Sequence, residues 1–286
     1  MMTVREVAAY LRIKERRVYD LVKAGAIPCT RVTGKWLFPR ERIEQWLAEH
    51  AEGALAPPPV IAGSHDPLLD WAARESGSGL ALLATGSLDG LERLARGAAT
   101  VAAIHVREAV TGRYNIAAIE HALPGQPVVA FTWARRTQGL VVAPGNPKGL
   151  LAVADLARAG VRVATRQEGA GSQILLGQLL AGAGLGLDAI AEAGPPALTQ
   201  TDLALAVQEG RADAGLAVAV VARQARLDFV PIAEERFDLV LGRRAAFEPP
   251  FQQLLAFARS AAFAARAAAM TGYDVTEVGT VVFNGP

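Results

Sequence analysis

From Thr3 onward, apolar residues recur at Val4, Val7, Ala8 and Leu11, the three-and-four spacing of an amphipathic helix with the Thr3 hydroxyl placed at its N-cap. After Arg12-Ile13-Lys14 the spacing returns at Val18, Leu21 and Val22, predicting a second helix over 15–24 that Gly25 ends. Thr30-Arg31-Val32 and Trp36-Leu37-Phe38 flank Gly34-Lys35 as the arms of a hairpin. Pro39 then opens a third helix over 40–49, with Ile43, Trp46 and Leu47 on its inner face. Two short helices joined by about three residues and followed by a hairpin outline a mostly-α winged helix-turn-helix, whose second helix would enter a DNA major groove. The candidate contacts to double-stranded DNA are Lys14, Arg16, Arg17, Tyr19 and Lys23 on or beside that helix, with Arg31 and Lys35 on the hairpin.

The pattern changes after residue 50. Residues 51–59, AEGALAPPP, have the composition of a semi-rigid spacer. Beyond it, short apolar runs at 60–62, 80–84 and 161–165 alternate with helical stripes such as 68–74 and 88–96, the signature of an α/β body over 60–286. Residues 94–104 are echoed by 207–217: a helix end, a glycine (Gly97, Gly210), then a strand of small apolar residues. Ser87 and Thr201 occupy the expected N-caps of the preceding helices. Such a repeat predicts two similar lobes with a cleft between them rather than one long sheet. Crossover segments at 128–135, 229–232 and 237–242, with alanine-rich helices over 251–270 returning, divide lobe 1 (about 60–134 and 240–286) from lobe 2 (about 135–239).

Composition narrows the class. The 286 residues are 51% hydrophobic and 20% charged, enough apolar material for sizeable cores and unlike a disordered chain. The formal net charge of +1 conceals an asymmetry: residues 1–50 hold ten Lys/Arg against six Asp/Glu, and the remainder holds 19 against 22. A basic head on a mildly acidic body points to a polyanion-binding module attached to a second function. One cysteine, Cys29, excludes an internal disulfide and a multi-thiolate zinc site. The N-terminus lacks the apolar core of a signal peptide and charges interrupt every apolar stretch, so a cytoplasmic protein without a membrane partner is expected.

Candidate chemistry lies in the strand-to-helix turns of the body, where helix N-termini present unpaired N–H groups. Gly63-Ser64-His65-Asp66, Gly86-Ser87, Gly169-Ala170-Gly171-Ser172 and Thr199-Gln200-Thr201-Asp202 all carry hydroxyls, and Arg166 follows a strand end. Hydroxyls and N–H groups from two lobes suit a small oxyanion, which offers only acceptors. Ser64, His65 and Asp66 contain the elements of a hydrolytic triad, but consecutive residues do not readily form the required relay. The sequence has no Gly-x-Ser-x-Gly elbow, Walker sequence or His-Glu-x-x-His site, so a binding protein without cofactor or catalytic role is expected.

Residues 2–48, with T-V-x-E-V-A-x-Y-L, R-x-V-Y-x-L-V-x-x-G-x-I-P and G-x-W-x-F-P, resemble the helix-turn-helix of excisionases and MerR-like regulators. Residues 59 to about 270 resemble the two-lobed, type II periplasmic-binding-protein-like domain fused to such heads in cytoplasmic regulators and related to molybdate- and tungstate-binding proteins. The motifs include Gly-Ser-His-Asp at 63–66, Gly-Ser-x-x-Gly-Leu at 86–91, Ala-Ile-His at 103–105, Gly-x-Tyr-Asn at 112–115 and Arg-Gln-x-Gly-x-Gly-Ser at 166–172. The resemblance implies a ligand-responsive transcriptional regulator, a homodimer on paired DNA half-sites, with an oxyanion effector such as molybdate or tungstate held by Ser64, His65, Asp66, Ser87, Arg166, Ser172, Gln173, Thr201 and Asp202. Two departures stand out: Gln173 where the family's turn commonly has arginine, and Asp202 in the first turn of the later helix. If both face the cleft they argue against a dianion and keep open an organic metabolite with N–H or O–H donors.

Overall fold

Residues 1–32, 34–49 and 56–286 are described by the computed structural model. Part of the spacer, 51–55, lies outside the described residues, as do Thr33 and His50. Two compact units divide the chain, Met1–Ala56 and Pro57–Pro286.

In the first unit, β1 (Met2–Thr3) leads into α1 (Val4–Tyr10), α2 (Glu15–Lys23), the hairpin β2 (Thr30–Val32) and β3 (Lys35–Phe38), and α3 (Arg40–Glu49). Thr3 caps α1 in a capping box: its hydroxyl accepts from Glu6 N at 3.4 Å, and its own N–H donates to Glu6 Oε2 at 2.7 Å. Met2, Val7, Val18, Ile27, Phe38 and Ile43 form the core, so the predicted stripes on all three helices meet. β1 adds a third strand by pairing antiparallel with β3. Leu47 departs from expectation: it is 39% exposed, and Ile43 supplies the buried contact of α3.

The second unit contains β4 (Val60–Gly63), α4 (Pro67–Glu75), β5 (Ala81–Ala84), α5 (Ser87–Ala95), β6 (Val101–Ile104), α6 (Ile116–Ala122), β7 (Val128–Val142), β8 (Arg162–Ala164), α7 (Gly171–Gly182), β9 (Ala191–Glu192), α8 (Gln200–Gln208), β10 (Ala214–Val218), α9 (Ala219–Gln224), β11 (Asp228–Gly242), α10 (Pro249–Ala258), α11 (Ala261–Ala268), β12 (Tyr273–Asp274) and β13 (Val281–Asn284). The strand order is β5-β4-β6-β11-β7-β10-β8-β9. Its two halves mirror each other. β5, β4 and β6 run parallel beside antiparallel β11, and β9, β8 and β10 run parallel beside antiparallel β7.

The sequence echo falls on α5–β6 and α8–β10, each turned by a glycine in the left-handed region, Gly97 at φ 68° and Gly210 at φ 70°. One expectation is corrected: the lobes do not have separate sheets. The strands β7 and β11 are each fifteen residues long and pair antiparallel from Val128↔Gly242 to Val142↔Asp228, carrying one ladder through both lobes. They are long because each runs through both lobes, β11 pairing with β6 in lobe 1 and β7 with β10 in lobe 2. Helices α4, α10 and α11 cover one face of lobe 1 through Leu68, Leu69, Phe251 and Phe263, while α5 and α6 cover the opposite face through Leu91 and Ile119. In lobe 2, Leu175, Leu176 and Leu180 of α7 pack over Leu140, Val163 and Leu216. The C-terminal strands β12 and β13 pair with β7, an attachment that the hydrophobic pattern did not predict. Among the described residues no helix is long and apolar enough to cross a membrane.

Candidate functional site

On the first unit, helix α2 buries Val18 and leaves Lys14, Arg16, Arg17, Tyr19 and Lys23 exposed. Arg31 and Lys35 are exposed on the hairpin, where the Arg31 guanidinium lies 5.4 Å from the Trp36 ring centroid. The seven residues selected from sequence are thus accessible to a polyanion.

In the second unit, the turns of lobe 1 converge on a small hydroxyl cluster. Gly86, at φ 102°, is the N-cap of α5, so Ser87 is the first residue of the helix and not its cap. Its hydroxyl lies 2.7 Å from Ser64 Oγ and 3.2 Å from His105 N, which donates to it. Lobe 2 closes directly onto this cluster. Leu88 N donates to Gly169 O at 3.2 Å, and a Cβ on Gly171 would lie 2.6 Å from His105 O. Only glycine permits that approach. Arg107 and Gln178 tie the same edge, with Gln178 Nε2 donating to Arg107 O at 2.8 Å. Ser172, the next residue of α7, is 1% exposed and its hydroxyl has no partner among the described residues; the buried Nδ1 of His65 has none there either. Burial lowers the His65 pKa and keeps that ring neutral.

Behind the cluster lies an ionic core. The Arg136 guanidinium on β7 is fully buried, with Nη1 donating to Asp66 Oδ2 at 2.8 Å and Nη2 to Glu235 Oε1 on β11. It also stacks 4.2 Å from the centroid of Phe237. Glu235 Oε2 is 2.7 Å from His105 Nδ1. Burial lowers the His105 pKa more than Glu235 raises it, so the ring is neutral and Nδ1–H donates to the carboxylate. For Glu235, burial acts to raise the pKa, but Arg136 and His105 outweigh it and hold the carboxyl well below its ordinary value.

This core reassigns several residues expected at the ligand. Asp66 caps α4, accepting from Leu69 N at 2.7 Å, and also accepts from Trp133 Nε1 at 3.2 Å, Arg136 and Tyr273. Four donors saturate its two oxygens. The triad alternative fails on the same geometry, because Ser64 pairs with Ser87 and the Nδ1 of His65 contacts neither neighbour. Arg166 turns its guanidinium to the carbonyls of Ala197 at 2.8 Å and Leu198 at 2.7 Å, and burial lowers its pKa to about 10. Gln173 Oε1 accepts from Arg166 N at 2.9 Å. Thr199, not Thr201, caps α8, with Asp202 completing the capping box; Thr201 and Asp202 are exposed. Both departures from the family pattern therefore serve local structure, which removes the charge argument drawn from them. Ser64, His65, Ser87 and Ser172 remain. His105, singled out in the sequence within Ala-Ile-His, is a buried core histidine. The residues missed were Trp133, Arg136, Glu235 and Tyr273, and the signal for two of them was a pair of opposite charge doublets, Arg135-Arg136 and Glu234-Glu235, inside the long strands β7 and β11.

Comparison with known proteins agrees with this architecture. Residues 1–51 match a family model described as a helix-turn-helix domain, and residues 69–259 match one described as a PBP superfamily domain. The uncharacterized protein YvgK of Bacillus subtilis (strain 168) is 26% identical over 300 residues, covering 98% of this chain and 97% of its own length. A substrate-binding protein from Clostridium perfringens with bound phosphate superposes with a TM-score of 0.56 at 11% identity, covering 77% of this chain and 98% of that chain. The regulatory domain of MetR, a LysR family regulator from N. meningitidis, gives 0.51 at 11% identity, covering 75% and 96% respectively. At such identities the likeness is one of fold. With two-thirds of its length matched by one model and the mirrored lobes that model implies, the chain belongs to the PBP superfamily, and it carries a helix-turn-helix domain at its N-terminus.

Proposed function

We propose that this protein is a DNA-binding transcriptional regulator whose DNA affinity is set by a small oxyanion, of the molybdate, tungstate or phosphate kind, held between the lobes of its second unit. The joining of a helix-turn-helix domain to a PBP-type domain fits a ligand-responsive regulator, and the regulatory domain of a LysR family protein has a similar fold. The single observation that carries the ligand reading is the buried Ser172 hydroxyl in the first turn of α7, without a partner among the described residues, one residue from the glycine that meets His105 and thereby the Ser64–Ser87 pair. Leaving a buried hydroxyl unpaired costs about 1–3 kcal/mol, a cost that an acceptor from a bound ligand relieves. The N-termini of α5 and α7 add N–H groups and dipoles of the sign that favours an anion. Asp66 and Glu235 do not oppose it, since their charge is spent on Arg136, Trp133, Tyr273 and His105. The clamshell closes on the ligand, and the closed form alters operator binding by the exposed cations of α2 and the hairpin, in a homodimer on paired half-sites.

Calorimetry of the full chain with molybdate, tungstate, phosphate and sulfate tests the ligand class. The reading expects saturable heat from at least one of them, weakened about tenfold or more by Ser172→Ala with Ser87→Ala. Absence of heat from all four at about 10 mM would remove the oxyanion and leave a small organic ligand as the alternative.

A further inference from the structure

The cleft is not the only recess in the second unit. A cavity of about 520 Å³ opens on the flank of the crossing strands, lined by Arg113 and Ile116 from the segment after β6, Arg135 of β7, Glu234 and Arg236 of β11, and Val282 of β13. None of the nine residues expected in the cleft lines it. Its volume is in the range of small-metabolite sites.

The polar groups of this cavity differ in how firmly they are held. Arg236 is fixed: its Nε reaches both oxygens of buried Asp238 at 3.1 and 3.0 Å, and its Nη2 donates to Tyr114 O at 2.9 Å. Arg135 pairs with Glu277 at 2.9 Å, about half exposed on both sides, and lies beside Asp274. Such a surface pair contributes about 0–1 kcal/mol and yields readily to a competing carboxylate. The Arg113 guanidinium is exposed, and among the described residues it has no carboxylate partner. Glu234 accepts the Thr137 hydroxyl on Oε1 at 2.8 Å, leaving Oε2 for another donor.

We infer that this cavity is a second effector site, for an α-amino acid with an apolar side chain. Arg113 and Arg135 take the α-carboxylate, Glu234 Oε2 takes the ammonium group, and Ile116 and Val282 face the side chain. The charge balance selects a zwitterion. Four guanidinium groups, those of Arg113, Arg135, Arg236 and of Arg107 packed against the lining Gly112, are set against Glu234, Asp238, Glu277 and Asp274, so neither a polyanion nor a bare cation is favoured, whereas a molecule with one charge of each sign meets a partner at both ends. Because the lining comes from both crossing strands and from the lobe 1 segment beside them, an occupied cavity would brace the region about which the lobes move.

Titration of the full chain with L-leucine, L-leucinamide and 4-methylpentanoate separates the contacts, since the second probe lacks the carboxylate and the third the ammonium group. Leucine is expected to bind, both analogues at least about tenfold more weakly, and Arg113→Ala and Glu234→Gln each to weaken leucine by a similar factor. Arg113 is exposed, so its truncation leaves the fold intact. Ser172→Ala is expected to leave leucine binding unchanged, which distinguishes this site from the cleft whether or not oxyanions bind there. The inference is overturned if neither leucine, isoleucine, methionine nor phenylalanine gives heat at about 10 mM. It is equally overturned if Arg113→Ala has no effect, if 4-methylpentanoate binds as well as leucine, or if Ser172→Ala abolishes the signal.

Discussion

Replacing Arg136 by methionine removes a fully buried cation from between Asp66 and Glu235 while keeping much of its aliphatic volume. Both carboxylates are 0% exposed at the side chain, so neither recovers hydration when its partner is lost. Breaking a buried pair by removing one partner costs about 3–5 kcal/mol. Loss of the guanidinium over Phe237, 4.2 Å from the ring centroid, adds about 1–2 kcal/mol. Part of the total returns as Asp66 or Glu235 takes up a proton, so the expected destabilisation is about 3–5 kcal/mol at pH 7 and smaller at pH 5. Urea unfolding of the second unit, followed by tryptophan fluorescence, reads this directly, because Trp133 donates to Asp66 inside the network. The triple change Arg136→Met, Asp66→Asn, Glu235→Gln is expected to regain part of the loss, since it removes the unpaired charges along with their partner. A loss below about 1 kcal/mol for Arg136→Met, or a triple variant weaker than the single by the full additive sum, would refute the reasoning that the pair is dry and mutually compensating.

Two further outcomes follow from the same geometry. Gly171→Ala puts a methyl group about 2.6 Å from His105 O, too close to tolerate, so the lobes are expected to part; small-angle scattering should show a larger radius of gyration, and the affinity of any cleft ligand should fall at least about tenfold while urea stability changes little. Asp238, whose pKa burial raises to about 6 against the pull of Arg236 and Asn115, contributes stability that is complete below about pH 4 and is lost as pH rises through 6. His105, whose pKa burial lowers, acts in the opposite direction, its contribution being lost as pH falls below its ordinary value of about 6.5. The Asp238→Asn variant should therefore gain on the wild type as pH rises from about 4 to 6 and level off above it, and a His105→Gln variant should gain on it as pH falls below 6; a difference that is flat with pH across these windows contradicts the assignment.

Much of this fold could be read along the chain because local periodicity and burial agree there. The stripes at Val7, Val18 and Ile43 are the ones that meet in the head, and the echo between 94–104 and 207–217 marks the corresponding halves of the two lobes. The cleft was legible only to the level of its turns. Whether a hydroxyl caps a helix or faces a cavity depends on a shift of one or two residues. Gly86 and Thr199 take the capping positions, which frees Ser87 and leaves Thr201 exposed. The cations were misplaced for a different reason. A lone arginine after a strand, Arg166, looks available, but carbonyls from the distant 197–198 segment hold it. Arg136 looks like one of two surface charges in a strand until the register sets it opposite Glu235, with Asp66 beneath it. That pairing spans 99 residues, and no local pattern encodes it.

The central claim is that an oxyanion in the cleft sets DNA affinity, and one experiment meets it most directly. Fluorescence anisotropy would follow the full chain binding a duplex that it selected from a random library, at fixed salt, with and without saturating molybdate, tungstate or phosphate. One of these anions is expected to change the Kd at least about fivefold, the lower end of ordinary allosteric coupling, and Ser87→Ala with Ser172→Ala to abolish the change while leaving anion-free DNA binding intact. Arg16→Ala with Arg17→Ala should weaken DNA binding at every anion concentration and flatten its salt dependence. A Kd that stays the same with all three anions, in a protein that calorimetry shows to be loaded, would contradict the account.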